Sequence, residues 1–198
     1  MTPDLVFRVV FAAGTLLGLS LRMYFAWKVR RVGGKFAIKE RGNVSLVLLW
    51  VLYLPTLAAS LLYVLAPDLL GYSALPLPLW LRSIGAIPGT ASLVLFAWSH
   101  HALGANWSES VGIKEAHSLV TDGPHRWMRH PMYTAVLLIA PAAFLISANW
   151  TIGAFWLAMG TVVYTRVGLE ERFLIEKFGD QYLQYMSRTG RFLPRVKL

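Results

Sequence analysis

The 198-residue chain contains no cysteine. Disulfide bonds, a thiolate nucleophile and a cysteine-ligated metal are therefore excluded. Charge is also scarce, because Asp, Glu, Lys and Arg make up only 15% of the residues, against about 25% in typical soluble domains. No charged residue occurs in residues 44–66 or 132–165. A bilayer-spanning helix needs roughly 20 mostly apolar residues, so these stretches predict an integral membrane protein.

Five stretches of the sequence fit transmembrane helices, at residues 5–27, 44–66, 79–101, 132–148 and 150–168. The polar break Ser147-Ala148-Asn149 separates the last two stretches into a tight helical hairpin. Arg82 lies near one end of the third stretch, where its guanidinium is expected to reach the membrane surface. We therefore predict an all-α membrane protein with about five transmembrane helices.

The net charge of +9 comes from unevenly placed basic residues. Residues 28–41 contain six Lys or Arg and one Glu, residues 67–78 contain no Lys or Arg, and the tail from 177 to 197 contains five. Cytoplasmic loops of membrane proteins are rich in Lys and Arg. This pattern predicts an N-terminus outside and a C-terminus in the cytoplasm, and it explains the charge without nucleic-acid binding.

The segment after the fifth stretch has the periodicity of a helix. Leu174, Phe178, Tyr182, Tyr185 and Met186 recur at three- and four-residue spacing, and Gly179-Asp180 marks a break with a new N-cap. We expect this tail either to lie along the membrane or to fold over a cytoplasmic pocket. The sequence shows no internal repeat and no low-complexity stretch, so residues 1–198 are predicted to form one membrane domain.

Polar residues are concentrated in residues 117–133, directly before the fourth stretch. Gly123-Pro124 predicts a turn, and Pro131 suits the first turn of the following helix. Arg126, Arg129 and His130 lie beside that helix N-terminus, whose free N–H groups favour anions. This arrangement predicts a site for a carboxylate or a phosphate, although an ordinary basic loop beside the membrane is the alternative interpretation.

A second group of charged residues lies where the fifth stretch leaves the membrane. Arg166 and Glu170 are four residues apart and are able to pair on a helix, while Glu171 projects about 100° further round. Ionisable groups at the edge of a membrane are candidates for function. The alternative is a salt bridge that ends the helix.

The five histidines show none of the helical spacings of a zinc site. His100 and His101 are adjacent, His125 and His130 are five residues apart, and His117 lies upstream. Zinc-binding helices place two histidines four residues apart. We therefore predict no metal site.

Taken together, the polar blocks resemble the isoprenylcysteine carboxyl methyltransferase family, within the wider superfamily of membrane phospholipid and isoprenylcysteine methyltransferases. The residues that carry the resemblance are HSLVTDGPHRWMRHPMY at 117–133, RVGLEERFLIEKFGDQYLQY at 166–185 and RFLP at 191–194. The family pattern has the form HxLVxxGPYRxxRHPxY followed by EExxLxxxFGxxYxxY. His125 therefore stands where the family has a tyrosine. The resemblance covers roughly residues 102–195, so residues 1–101 are expected to be a variable transmembrane part.

This resemblance implies an enzyme that transfers a methyl group from S-adenosylmethionine to a lipid-like or prenylated acceptor in the membrane. It implies that the methyl donor is held between residues 117–133 and the tail. The family's essential arginine and glutamate correspond to Arg166 and Glu171, which are expected to act in catalysis, with Arg166 and Glu170 binding the substrate. The cofactor-binding residues implied by the resemblance are His117, Ser118, Leu119, Val120, Gly123, Pro124, His125, His130, Pro131 and Tyr133.

Carboxyl O-methylation of an isoprenylcysteine-like acceptor is the leading expectation. Small residues in the fifth stretch, such as Gly153 and Gly160, allow either close helix packing or a gap for a lipid tail. N-methylation of a phospholipid amine is an alternative within the same class. An NADPH-dependent sterol-type reductase and a non-enzymatic membrane scaffold or transporter are alternatives from other classes.

Overall fold

In the computed structural model, residues 2–32, 36–39, 44–107, 112–114 and 118–195 are described. The fold is helical, as predicted. The α-helices are α1 (Pro3–Val32), α2 (Val44–Leu65), α3 (Leu79–Ile84), α4 (Ala86–Leu103), α5 (Pro131–Ser147), α6 (Trp150–Phe178) and α7 (Asp180–Arg188). Short 3₁₀ helices cover Pro67–Ser73, Gly104–Asn106 and Gly123–Arg126.

The long apolar helices make the chain a multi-pass integral membrane protein. Four segments of the described chain are long and apolar enough to cross a bilayer, namely Pro3–Arg31, Val47–Leu65, Leu79–Leu103 and Trp150–Phe178. Helix α5 is also apolar but has only 17 residues. The third predicted span is divided into α3 and α4 at Gly85, where an added Cβ would lie 2.8 Å from Leu145 Cβ. Close packing against α5 therefore requires glycine at this break.

The turn between α5 and α6 forms where the sequence predicts it. Ala148 adopts a left-handed conformation with φ of 49°, and the Asn149 side chain caps α6 by accepting a hydrogen bond from the Ile152 N–H. The Asn149 amide also donates to the Leu70 carbonyl, and Ser73 donates to Asn149. These bonds hold the α5–α6 hairpin against the 3₁₀ helix that follows α2.

Arg82 is paired at the end of the bundle where α1 begins, and its partner Asp4 is exposed. The Arg82 side chain is 8% exposed, because it forms an ion pair of 2.6 Å with Asp4 and donates to the Ile146 carbonyl. The guanidinium also lies 4.0 Å from the centre of the Phe7 ring. A buried cation is stable only when it is paired, so Arg82 connects the starts of α1 and α3 to the end of α5.

The chain also contains a short antiparallel ribbon that the sequence did not predict. Strand β1 (Phe36–Lys39) pairs with β2 (Gly112–Lys114). The pairing joins the connection after α1 to the connection after α4. Both connections therefore meet at the end of the bundle where α1 finishes.

Candidate active site

A large, partly open cavity lies among α1, α2, α4, α5, α6 and α7. Its volume is about 920 Å³, and most of its wall is apolar. On α5 the lining extends from Met132 to Ile146, a rise of about 20 Å along a helix. The charged residues of its described lining are Arg22, Arg30, Arg129, Arg166 and Glu170. Arginine predominates, so one end of the cavity suits an anionic group.

Helix α6 carries Arg166 into this polar end of the cavity. Arg166 is 4% exposed, and its Nη1 atom is buried without a hydrogen-bond partner among the described residues. The predicted Arg166–Glu170 pair is not among the ion pairs of the described chain. Both side chains lie near the Tyr133 hydroxyl, within the range of its electrostatic interactions. The buried Nη1 of Arg166 is therefore available to a ligand.

Glu171 is in a different environment although it is on the same helix. Its side chain is 5% exposed. Arg129 donates to Glu171 at 3.0 Å, His130 Nε2 lies 3.3 Å away, and Arg191 donates at 2.5 Å. Every one of these contacts ties α6 to the segment before α5 or to the tail. Glu171 is outside the lining of the cavity, and its contacts in the described chain are with Arg129, His130 and Arg191.

The C-terminal residues pair with the segment that precedes α5. Met128 and Gly190 form a parallel bridge, and the N–H groups of Arg129 and His130 donate to the carbonyls of Gly190 and Arg191. The Thr134 hydroxyl donates to the Phe192 carbonyl. We call residues 189–192 the C-terminal strap. Because of this pairing, the predicted anion site at the start of α5 is partly filled by the chain itself.

The predicted residues of block 117–133 separate into two groups. Leu119, Val120, His125 and Tyr133 line the cavity. Five others do not, and they shape the wall or lie at the surface: Ser118, Gly123, Pro124, His130 and Pro131. His117 lies outside the described residues.

The residues outside the cavity lining have clear structural contacts. Gly123 has φ of 57°, and an added Cβ would lie 3.1 Å from Ala102 and 3.2 Å from Trp98 Nε1. Pro124 and Pro131 are buried. The His130 ring stacks on Tyr133 at 5.6 Å. Ser118 is exposed and its N–H donates to Asn106.

His125 occupies a buried position at the polar end. It is 7% exposed, and its Nε2 atom has no hydrogen-bond partner among the described residues. Burial lowers the pKa of His125 to about 4, against a smaller opposite effect of a hydrogen bond to the Arg129 backbone. The ring is therefore neutral at neutral pH. It offers a hydrogen-bonding atom to a ligand without adding charge.

Several polar groups of the cavity were not predicted from the sequence. Trp107, Trp156 and Tyr182 line the cavity. Their polar side-chain atoms are buried without partners within the described chain. Tyr185 also lines it, and its hydroxyl donates to the His125 carbonyl at 2.6 Å. The helical spacing of apolar residues in the tail could have indicated Tyr182 and Tyr185, because it places both on one face of α7.

Buried polar groups are normally hydrogen-bonded. Together with His125 Nε2 and Arg166 Nη1, these groups form a set of unsatisfied donors and acceptors around one cavity. Such a set fits a bound molecule that carries hydroxyl, amine, ring nitrogen and carboxylate groups. S-adenosylmethionine has all of these groups, so the residues present fit that cofactor.

The bundle and its polar-ended cavity define a multi-pass integral membrane protein with a cavity large enough for a bound molecule. Residues 90–176 match the profile of the isoprenylcysteine carboxyl methyltransferase family. A solved structure of the eukaryotic intramembrane Ras methyltransferase, an isoprenylcysteine carboxyl methyltransferase, is similar with a TM-score of 0.53 and 25% identity, over 78% of this chain and 52% of that one. The resemblance to this family is thus confirmed.

Curated methyltransferases are also similar to this chain in sequence. The chain is 30% identical to a protein-S-isoprenylcysteine O-methyltransferase from Tribolium castaneum, over 60% of this chain and 43% of that protein. It is also 33% identical to a methanethiol S-methyltransferase from Pseudomonas deceptionensis, over 37% of this chain and 27% of that protein. The chain therefore matches less than half the length of these relatives.

Proposed function

We propose that the protein uses S-adenosylmethionine to methylate the carboxylate of a lipid-like acceptor, of which isoprenylcysteine is the model. The observation that carries this proposal is Arg166, a buried guanidinium that faces the cavity with one unpartnered nitrogen. An unpaired buried charge is costly. A carboxylate removes that cost and is a natural bidentate partner of arginine.

The charge of the polar end favours an acid over an amine. The charged groups of the described lining are mostly arginine, with Glu170 as the acid. A phospholipid ammonium would meet repulsion there, whereas a carboxylate would be attracted. This difference supports O-methylation over N-methylation.

The residues of this chain act mainly by positioning. Arg166 holds the acceptor carboxylate, and the Tyr133 hydroxyl and Glu170 orient the guanidinium. Leu119, Val120, His125, Trp107 and Tyr182 line the cavity and would hold the cofactor, which would supply an electrophilic methyl group to the acceptor carboxylate. A carboxylate is already deprotonated, so alignment and exclusion of water supply the rate enhancement.

The site is on the cytoplasmic side in this proposal. Phe25, near the end of α1, contacts His100, whose ring also contacts Trp107 in the polar end. The polar end therefore lies at the same end of the bundle as Lys28, Arg30 and Arg31, the basic residues that end α1. Basic connections are typical of the cytoplasmic side, which gives an N-terminus outside and a C-terminus inside.

The test is methyl transfer by the purified protein in lipid nanodiscs. Labelled S-adenosylmethionine is supplied with an S-farnesyl cysteine derivative, its carboxamide, phosphatidylethanolamine or methanethiol. We expect a base-labile methyl ester from the carboxylate and no product from the carboxamide. Methylated headgroups or dimethyl sulfide would instead show an N- or S-methyltransferase. Binding of NADPH without binding of S-adenosylmethionine would contradict the proposal and favour a reductase.

A further inference from the structure

The cavity continues from its polar end to an apolar end near the start of α1. The cavity lining on α1 includes a stripe that repeats every four residues: Val10, Gly14, Gly18, Arg22, Ala26 and Arg30. Gly14 is eight residues before Arg22, which is about 12 Å along a helix, and Gly18 is about 6 Å before it. The two glycines therefore lie at successive depths below the polar end.

Gly14 and Gly18 have no packing reason to be glycine. A Cβ added to Gly14 would meet no atom within 4 Å, and one added to Gly18 would meet only Leu93 Cδ2, at 3.6 Å. Alanine in a helix is more stable than glycine by about 0.5–1 kcal/mol. The helix therefore gives up stability at two positions where a side chain would fit and would project into the cavity.

The glycines of α6 show the opposite situation. A Cβ on Gly153 would lie 2.7 Å from Phe144, and one on Gly160 would lie 3.2 Å from Leu137. Those two glycines allow α5 and α6 to pack closely. They therefore do not leave a gap for a lipid tail, which was the other possibility for them. The empty space is on α1, in residues that precede the part matched by the family.

We propose that Gly14 and Gly18 set the length of the lipid tail that the cavity accepts. This inference rests on the proposed function, since the tail belongs to the acceptor whose carboxylate Arg166 holds. The small residues do not stand alone, because the same cavity contains Arg166, 4% exposed with an unpartnered nitrogen. A head group fixed at Arg166 directs its apolar tail toward Gly18 first and Gly14 next, between α1, α2 and α4.

The experiment compares acceptors that differ only in tail length. S-geranyl, S-farnesyl and S-geranylgeranyl cysteine derivatives are assayed with the wild type, Gly14→Leu and Gly18→Leu. We expect Gly14→Leu to lower kcat/KM for the longest tail by roughly tenfold or more and to spare the shortest. Gly18→Leu is expected to shorten further the longest tail that the enzyme methylates efficiently. Gly168→Leu is the control, because Gly168 also has open space around it but is exposed and outside the cavity lining.

A binding measurement separates failure of this inference from failure of the proposed function. Thermal stabilisation by the same compounds reports occupancy whether or not methyl transfer occurs. If the wild type binds the compounds without methylating them, the proposed reaction is wrong. The inference is then tested by the tail length beyond which the compounds no longer stabilise Gly14→Leu and Gly18→Leu. Equal effects of Gly14→Leu on all tail lengths would overturn it. A wild type that binds no member of the series would overturn it as well.

Discussion

Arg166 and Glu171 lie five residues apart on α6 and show how one helix serves two purposes. Arg166 faces a cavity with an unpartnered nitrogen, whereas both oxygens of Glu171 are occupied by donors from Arg129, His130 and Arg191. Removing one partner of a satisfied buried charge destabilises the fold, whereas a buried charge without a partner carries the cost of desolvation until it is paired. Both residues are predicted from the sequence to be catalytic, but the structure places them in different surroundings.

Removal of Arg166 is expected to have the largest effect on activity. Arg166→Ala should lower kcat/KM by about 100-fold or more, because the acceptor loses its positioning charge. The unfolding temperature should stay unchanged or rise, because an unpaired buried cation disappears. Methyl ester formation and thermal unfolding in nanodiscs measure the two effects. Arg172→Ala, at an exposed position of the same helix, is the control, and full activity of Arg166→Ala would refute the role of Arg166.

Removal of Glu171 is expected to act first on stability. Glu171→Ala leaves the buried Arg129 and His130 without their acid, a change that costs about 3–5 kcal/mol in other buried pairs. Glu171→Gln should retain part of the hydrogen bonding and therefore lose less stability than Glu171→Ala. Thermal unfolding is the measurement, with the exposed Glu176→Ala as control. An unchanged unfolding temperature in Glu171→Ala, accompanied by loss of activity, would show that Glu171 acts on the ligand directly.

His125 predicts a pH dependence with a definite sign. Its folded pKa of about 4 lies below the ordinary value of 6.5, so between these values the unfolded chain binds more protons than the folded one. Its contribution to stability is therefore complete above pH 6.5 and is lost as the pH falls toward 4, by roughly 3 kcal/mol. His125→Asn should flatten this part of the unfolding profile, while exposed His101→Asn should not. Parallel profiles would contradict the buried, neutral ring.

Arg191 should give the smallest effect of the series. Its side chain is 44% exposed, so water screens its pairing with Glu171, and Arg191→Ala is expected to cost about 1 kcal/mol. Limited proteolysis of the C-terminal strap is the more sensitive measurement, because the strap loses one of its attachments to α6. Arg188→Ala is the control at an exposed position of α7. Equal cleavage of both variants would show that the backbone pairing alone holds the strap.

Local sequence signals predicted much of the fold. The polar residues at 147–149 predicted the α5–α6 turn, and Gly179-Asp180 predicted the start of α7, because capping and left-handed turns depend on neighbouring residues. The break at Gly85 was not predicted. It follows from contact with Leu145, which is distant in sequence, and single-sequence periodicity contains no information on such contacts.

The sequence predicted which residues belong to the candidate site better than it predicted their contacts with one another. The motifs singled out Arg166, Tyr133 and His125, which share the cavity. They did not show that His130 bonds to Glu171, or that Arg129 and Arg191 complete that cluster. These contacts join residues 20 to 42 positions apart, so they arise only when α5, α6 and the strap pack together.

The C-terminal strap also has a consequence for the order in which the protein matures. Its residues follow all the membrane helices, yet they pair with residues 127–130 and supply Arg191 to Glu171. During synthesis the helices enter the bilayer while Glu171 still lacks one of its cations. The cluster around Glu171 is therefore complete only after translation has passed residue 192, when the strap pairs with residues 127–130.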